Sequence, residues 1–151
     1  MGMFDAMEVS ASGLTAERMR MDVTSENLAN AETTKAANGQ PYRRKEVVLQ
    51  EAGGAGNDFA SVLSSVQGGG SSGSTVNGVK VSGIVEDQSP LKRIYDPGHP
   101  DADKDGYVTM PNVNTVTEMT DLISSSRAYE ANVTAMQTAK TMFSRTLDLL
   151  R

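Results

Sequence analysis

The chain has 151 residues, a formal net charge of −5 and no cysteine. The acidic balance argues against nucleic-acid binding, which needs a basic face to neutralise phosphates, and the missing cysteines exclude disulfides and cysteine-based zinc sites. The chain contains no run of about 18 apolar residues, which a membrane-spanning helix would need. Its first residues lack the basic and the long apolar parts of a cleavable Sec signal.

The N-terminal region, residues 1–34, is predicted to form an amphipathic assembly helix. Apolar side chains recur there every seven residues, which places them on one helical face: Met7, Leu14, Met21 and Leu28. The stripe is thin, so the helix is either one strand of a coiled coil or a helix packed on a globular core. It is expected to end near the segment NLANAETT, because Asn30, Thr33 and Thr34 favour turns.

The middle region, residues 35–112, is predicted to be small and β-rich. Three segments have the composition of strands, at 43–51, 79–87 and 90–96. Residues 52–78 contain two Gly/Ser tracts and are expected to form a flexible connector. The basic trio at 43–45 is followed by Glu46, which favours a solvated strand end over a phosphate site.

The C-terminal region, residues 113–151, has the most regular heptad spacing in the chain. One row consists of Leu122, Tyr129, Met136, Phe143 and Leu150, and a second row consists of Met119, Ser126, Val133, Lys140 and Leu147. Pro111, Asn112 and Asn114 precede the helix, and Thr115 with Glu118 three residues later predicts a capping box. A helix of this length would extend about 55 Å.

These regions predict an α+β fold in which long N- and C-terminal helices pair as a coiled-coil-like hairpin beside a small β-rich middle. The apolar residues are concentrated in the two helices, and a small isolated core is only marginally stable. We therefore expect other copies or other chains to complete the helical seams. The nine methionines suit such interfaces, because the flexible thioether side chain packs against varied surfaces.

An aspartate-rich loop, DADKDGYV, resembles the start of a calcium-binding EF-hand. Asp101, Asp103 and Asp105 occupy the first three ligand positions, and Gly106 follows them. The last ligand position holds Asn112 instead of a bidentate glutamate, and prolines precede the loop where an entering helix is needed. The three aspartates are therefore weak metal candidates, and a calcium-responsive binding module built on Asp101–Asn112 remains the alternative function.

The same loop is more simply explained as a joint between the β-rich middle and the C-terminal helix. Asp101, Asp105, Gly106, Pro111 and Asn112 are expected to fix that joint, with Gly106 at a positive φ angle. Gly106→Val should then impair assembly whether or not calcium is present. No catalytic or cofactor-binding group is predicted, because the lone His99 has no histidine or cysteine partner.

Two segments resemble the flagellar rod, hook and hook–filament junction proteins. The first is SASGLTAERMRMDVTSENLANAETT, residues 10–34, with the Asn-Leu-Ala-Asn-Ala signature at 27–31. The second comprises YDPGHPDADKDGYVTMPNVN and the following EMTDLISSSRAYEANVTAMQTAKTM, and it is similar to the proximal-rod members of that family. Together the segments cover about half of the chain.

This resemblance implies a structural protein of the bacterial flagellar basal body and no enzyme. Members of the family leave the cytoplasm through the flagellar type III export apparatus and assemble into a helical, hollow rod across the periplasm, which transmits torque and encloses the export channel. The implied partners are copies of the chain, other proximal and distal rod proteins and the MS-ring side of the basal body, with no nucleic acid, cofactor or small-molecule substrate. The expected assembly residues are Met7, Leu14, Met21, Asn27, Leu28, Asn30, Met119, Leu122, Tyr129, Val133, Met136, Phe143, Leu147 and Leu150.

Overall fold

The computed structural model describes residues 3–36, 39–52 and 77–149. Two long helices enclose four short strands in chain order: α1 (Met3–Ala29), β1 (Lys45–Glu51), β2 (Val79–Glu86), β3 (Lys92–Tyr95), β4 (Tyr107–Met110) and α2 (Thr115–Leu149). The strands form two separate antiparallel pairs, β1–β2 and β3–β4. This confirms the predicted α+β class with paired terminal helices. Among the described residues, neither helix is long and apolar enough to cross a membrane.

The two helices pair in one antiparallel register. Near the end of α1, the Asn27 side chain donates a hydrogen bond to Glu118 at the start of α2. Further along, Gly13 lies so close to Asn132 that an added Cβ would be 3.0 Å from the Asn132 side-chain nitrogen. Asn27 and Gly13 are fourteen residues apart, as are Glu118 and Asn132, so both contacts belong to the same register.

The seam of α2 is flanked by both predicted rows and centred on a third. The row of Leu122, Tyr129 and Met136 is half-buried, as are Ser126 and Val133 of the second row, whereas Met119 of that row is exposed. The row that completes the seam lies one residue earlier: Glu118, Ser125, Asn132 and Ala139. Its side chains are polar or small, so the hydrophobic pattern of the sequence does not reveal it, and Met119 and Leu147 are instead exposed.

The start of α2 also differs from the predicted capping box. Asn114 is the cap: its side-chain oxygen accepts the Val116 N–H, and its carbonyl accepts the Glu118 N–H. Thr115 is already the first helical residue. The Glu118 side chain is drawn away from the cap because it bonds to Asn27 and Arg44.

The β1–β2 hairpin lies along α1 and is fixed to it at both ends. At one end, Asn27 exchanges two hydrogen bonds with the backbone of Lys45. At the other end, the Ser12 hydroxyl accepts the Val79 N–H at 3.0 Å. The strands match the segments predicted at 43–51 and 79–87, while the connector predicted at 52–78 lies outside the described residues except for 52, 77 and 78.

The β3–β4 hairpin holds the aspartate-rich loop. Strand β3 lies within the segment predicted at 90–96, but β4 (Tyr107–Met110) was not predicted, because its four residues follow the turn without a clear alternation of their own. Gly106 has a φ of 76°, which confirms the expected left-handed turn. Its N–H donates to the Asp103 carbonyl, and its own carbonyl accepts the Asp96 N–H.

The hydrophobic core of the described residues is small. Its buried members come from α1, the segments before β1 and α2, strand β4 and α2: Ala16, Val23, Tyr42, Val108, Val113 and Ala139. Four polar side chains are equally buried: Thr24, Asn27, Glu118 and Ser125. The contact between the two helices is therefore built largely from polar side chains. Among the buried polar side-chain atoms of the described residues, only the Ser125 hydroxyl has no hydrogen-bond partner.

Replacing Gly106 should destabilise the loop. An alanine there must adopt a left-handed backbone, which costs about 1–2 kcal/mol, and its Cβ would be 2.9 Å from Tyr95 Cε2. We expect Gly106→Ala to lower the free energy of unfolding in urea by at least that amount, and Gly106→Val to lower it further. The matched control is Gly83→Ala, whose Cβ would meet no atom within 4 Å; equal losses for Gly83→Ala and Gly106→Ala would contradict this account.

Candidate assembly site at the helix junction

Asn27 is the centre of a buried polar junction between the helices and the β-rich middle. Only 1% of its surface is exposed. Its amide nitrogen donates to the Lys45 carbonyl at 2.8 Å and to Glu118 Oε2 at 3.0 Å. Its amide oxygen accepts the Lys45 N–H and the Tyr42 hydroxyl, each at 2.9 Å. All four hydrogen bonds that an asparagine amide can make are thus formed.

Glu118 contributes a buried negative charge to the same junction. It is also only 1% exposed, and its other oxygen, Oε1, accepts a hydrogen bond from Arg44 Nε at 2.5 Å. The carboxylate lies in the first turn of α2, where the helix dipole favours a negative charge. A buried charge is tolerated only when it is paired and hydrogen-bonded, and Arg44 meets that requirement.

Arg44 links this carboxylate to the joint before α2. Its guanidinium also contacts Glu46, and it lies 3.6 Å from Asp121. Its backbone N–H donates to the Asn112 side chain at 2.9 Å. The prediction of a solvated strand end at 43–45 is therefore wrong for Arg44, because a buried acid on a distant helix, invisible in the local sequence, recruits it.

Asn112 extends the junction to the end of β2. Its amide nitrogen donates to the Asp87 carbonyl at 3.2 Å, and the Asp87 N–H in turn donates to the Arg44 carbonyl at 2.8 Å. Pro111, the neighbouring joint residue, is buried. The junction, which we call the Asn27 junction, consists of Asn27, Tyr42, Arg44, Lys45, Asn112 and Glu118, and it binds α1, the β1–β2 hairpin and α2 together.

An open groove of about 390 Å³ adjoins the Asn27 junction. Three apolar residues line it, Val23 of α1 and Val47 and Leu49 of β1, and the rest of its lining is polar or charged, including Arg20 and Asp121.

Burial of Tyr42 changes its acidity. Desolvation, together with the smaller effects of the negative charges of Glu26, Glu118 and Glu86, raises the pKa of its hydroxyl from 10.0 to about 12. The hydroxyl therefore stays protonated and keeps donating to Asn27 at neutral pH. Lys45 lies beside the same ring, with its ammonium 5.6 Å from the ring centre.

The aspartate-rich loop is attached to the chain that leaves α1. The Thr34 hydroxyl donates to Asp101 Oδ2 at 2.8 Å, and the Lys35 ammonium donates to Asp101 Oδ1 at 3.3 Å. These bonds hold the pKa of the Asp101 carboxyl below its usual range, with the Thr34 bond as the larger cause. Asp103 and Asp105 are exposed, and one oxygen of Asp103 accepts the Lys104 N–H.

The weak metal candidates do not converge on one point. Both oxygens of Asp101 face Thr34 and Lys35 rather than the other aspartates. Within residues 3–36, 39–52 and 77–149, no group of three or more histidine or acidic side chains is placed to hold a metal ion. The loop acts here as a joint that ties the exit of α1 to the β3–β4 hairpin.

The predicted assembly residues occupy three kinds of position. The α1 row and most of the α2 row are half-buried, as is Asn30, whereas Asn27 is fully buried. Three of the predicted residues are exposed: Met119, Phe143 and Leu147. Leu150 lies outside the described residues. The sequence did not single out Tyr42, Arg44 or Glu118 for the site; the only local signal was the heptad phase that Glu118 shares with Ser125 and Asn132.

Comparisons with known proteins all point to one family. Residues 7–36 match the family described as flagella basal body rod protein, and residues 104–149 match the family described as flagellar basal body rod FlgEFG protein C-terminal. The flagellar basal-body rod protein FlgC of Bacillus subtilis is 53% identical over 97% of both chains. The corresponding proteins of Borreliella burgdorferi and Salmonella typhimurium are 43% and 40% identical and cover at least 98% of each chain.

The chain belongs to the FlgC family of flagellar basal-body rod proteins. The two matched segments of this FlgC-family chain contain the two helical halves of the Asn27 junction, since Asn27 lies in the first and Glu118 in the second. Tyr42 and Arg44 lie between the matched segments, where the family models give no guidance.

Removing the Asn27 amide should be costly. Asn27→Ala would leave the Tyr42 hydroxyl, both Lys45 backbone groups and one Glu118 oxygen without their partner, and each unsatisfied buried group costs about 1–3 kcal/mol. We expect urea unfolding to show a loss of about 3 kcal/mol or more. The matched control is Asn30→Ala in the same signature, where only local bonds to Glu26 and Thr33 are lost and about 1 kcal/mol is expected. Equal losses would contradict a special role for Asn27.

The raised pKa of Tyr42 predicts a loss of stability at high pH. The unfolded chain releases the Tyr42 proton near 10.0, but the folded chain holds it until about 12. The free energy of unfolding should therefore fall as the pH rises from about 10 to 12, while below that range the contribution of Tyr42 is fully present and does not change with pH. Phenolate absorbance of the four tyrosines should show one late ionisation that disappears in Tyr42→Phe. A single common ionisation near pH 10 would contradict the prediction.

Proposed function

We propose that the chain is a structural subunit of the flagellar rod that assembles through the exposed parts of its two helices. The relatives described above are rod proteins by name, and the paired terminal helices suit a stiff, repeated contact. In this proposal the subunit is part of the proximal rod, a hollow shaft that transmits torque and encloses the export channel. It works as a mechanical component and catalyses no reaction.

The observation that carries the proposal is the excess of exposed over buried apolar side chains. Among the described residues, fifteen large apolar side chains are exposed, whereas six apolar residues, two of them alanines, are buried. A monomeric protein rarely leaves contiguous apolar patches of this kind in water. The missing cover is supplied in this proposal by neighbouring rod subunits.

The exposed apolar side chains of α2 fall into two patches at its ends. The base patch consists of Val116, Met119 and Ile123, and the tip patch consists of Met142, Phe143 and Leu147. Between 124 and 141 no large apolar side chain of α2 is exposed. Contacts near the two ends of the helix suit a heterologous, non-closing arrangement, in which different surfaces meet and copies climb a helix.

The Asn27 junction supports this mechanical role because it connects all parts of the subunit. A force applied to the β-rich middle reaches α1 through Lys45 and α2 through Arg44 and Glu118. Many parallel hydrogen bonds can carry such a load without one bond failing first. Besides the Asn27 junction, the hydrogen bond from Thr34 to Asp101 connects the aspartate-rich loop to the exit of α1.

In this proposal the subunit contacts other rod proteins, and one of its ends faces the MS-ring side of the basal body. Transport through the flagellar type III export apparatus is proposed because the resemblance to the flagellar rod and hook proteins implies that route. No observation favours the calcium-responsive alternative, since Asp101 directs both of its oxygens towards Thr34 and Lys35.

Charges in the base patch should block rod assembly without unfolding the subunit. The test replaces the gene of the 53% identical relative in Bacillus subtilis with the gene of this chain, and swimming and recovered rods are scored. We expect Met119→Lys with Ile123→Lys to abolish both, because lysine ammonium groups cannot be desolvated against an apolar neighbour.

The matched control uses exposed hydroxyl residues of the same turns, Thr120→Lys with Ser124→Lys. These changes add the same charge beside the base patch and should retain swimming. Urea unfolding of both purified variants shows whether the fold is kept. A Met119/Ile123 variant that folds and swims as well as the control would contradict assembly through the base patch.

A further inference from the structure

We propose that His99 makes the attachment of the aspartate-rich loop to the exit of α1 sensitive to pH. His99 lies between Gly98 and Pro100 in the loop and is half-buried. Its Nδ1 accepts a hydrogen bond from the Asp101 N–H at 3.1 Å. Asp101 is also the residue whose side chain holds Thr34 and Lys35, so one residue connects the imidazole to the joint.

The hydrogen bond defines which nitrogen carries the proton in the neutral ring. A nitrogen that accepts a hydrogen bond has a free lone pair, so the neutral ring carries its proton on Nε2. Protonation places a hydrogen on Nδ1 and turns both ring nitrogens into donors. The Asp101 N–H then faces another donor and loses its acceptor. Imidazole is the side chain that makes this change between about pH 5 and 8.

The surrounding backbone couples the ring to the turn. The His99 N–H donates to the Asp96 carbonyl at 3.3 Å, and the His99 carbonyl accepts the Ala102 N–H at 3.0 Å. Asp101 lies between these two bonds in the chain. Loss of the Asp101 bond therefore acts on the turn that sets the position of the Asp101 carboxylate opposite Thr34.

Charged groups of both signs lie around His99. Asp96 and Asp101 belong to the same loop, Asp103, Lys104 and Asp105 line an open groove together with His99 and Tyr95 of β3, and Lys35 approaches from the exit of α1. Carboxylates attract an imidazolium, whereas the Asp101 N–H repels it at Nδ1. Protonation should therefore remove the acceptor of the Asp101 N–H and loosen the turn, while the nearby carboxylates favour the imidazolium charge.

The test is an NMR titration of the intact chain from pH 8 to pH 5. Imidazole nitrogen shifts report the protonation of His99, and hydrogen exchange of the Asp101 amide, corrected for its intrinsic pH dependence, reports the hydrogen bond. We expect the protection of that amide to fall about fivefold with the same midpoint as the imidazole, as loss of one ordinary hydrogen bond implies. The Thr34 and Lys35 amide shifts should move together with it, while the Gly106 amide, bonded to the Asp103 carbonyl, should not.

The matched variant is His99→Gln, whose side-chain oxygen can accept a hydrogen bond but does not gain a proton in this range. Its Asp101 amide should keep constant protection throughout the titration. An unchanged Asp101 amide in the natural chain while His99 is protonated would overturn the proposal. So would an equal transition in His99→Gln, because the aspartates rather than the imidazole would then be responsible.

Discussion

The whole subunit depends on the hydrogen bonds of one buried asparagine amide. Asn27 meets the backbone donor and the backbone acceptor of Lys45 in β1, the phenol of Tyr42 before that strand and the carboxylate of Glu118 in α2. The apolar core is small and its contacts have no preferred direction, so these hydrogen bonds fix where α1, the β1–β2 hairpin and α2 meet. The buried carboxylate of Glu118 gives the junction its specificity, since a misplaced register would leave that charge without Asn27 and Arg44.

This constraint also explains why the helices need no continuous apolar seam. The inner row of α2 changes along its length from Glu118 to Ser125, Asn132 and Ala139. Opposite Asn132, Gly13 leaves room for the Asn132 side-chain amide, which would lie 3.0 Å from an added Cβ. Polar specification at one end and close packing further along hold the pair, and the larger apolar side chains at the ends of α2 remain available for neighbouring subunits.

The sequence predicted the parts of the fold that follow from local periodicity. Both helices, the three longer strand segments and the left-handed turn at Gly106 follow from spacing and residue type. The inner row of α2 did not, because Glu118, Ser125 and Asn132 give no hydrophobic signal. Strand β4 was missed because its four residues follow the turn without a clear alternation, and Arg44 looked like a solvated residue because its partners, Glu118 and Asp121, are more than seventy positions away.

The family resemblance placed Asn27 among the important residues, but it could not supply the reason. Its neighbour in the signature, Asn30, bonds only to residues of its own turn, although both asparagines look equivalent in the sequence. The difference arises from the register of α1 against β1 and α2. Three-dimensional contacts of this kind separate a residue that organises the subunit from one that ends a helix.

The central claim is that the contact between Asn27 and Glu118 is energetically coupled and so sets the register of the helices. A double-mutant cycle tests this most directly, with Asn27→Ala, Glu118→Gln and the combined variant measured by urea unfolding. The account predicts a coupling energy of about 1 kcal/mol or more between the two sites. Losses that add to within about 0.3 kcal/mol would show that the two residues act independently and would contradict the account.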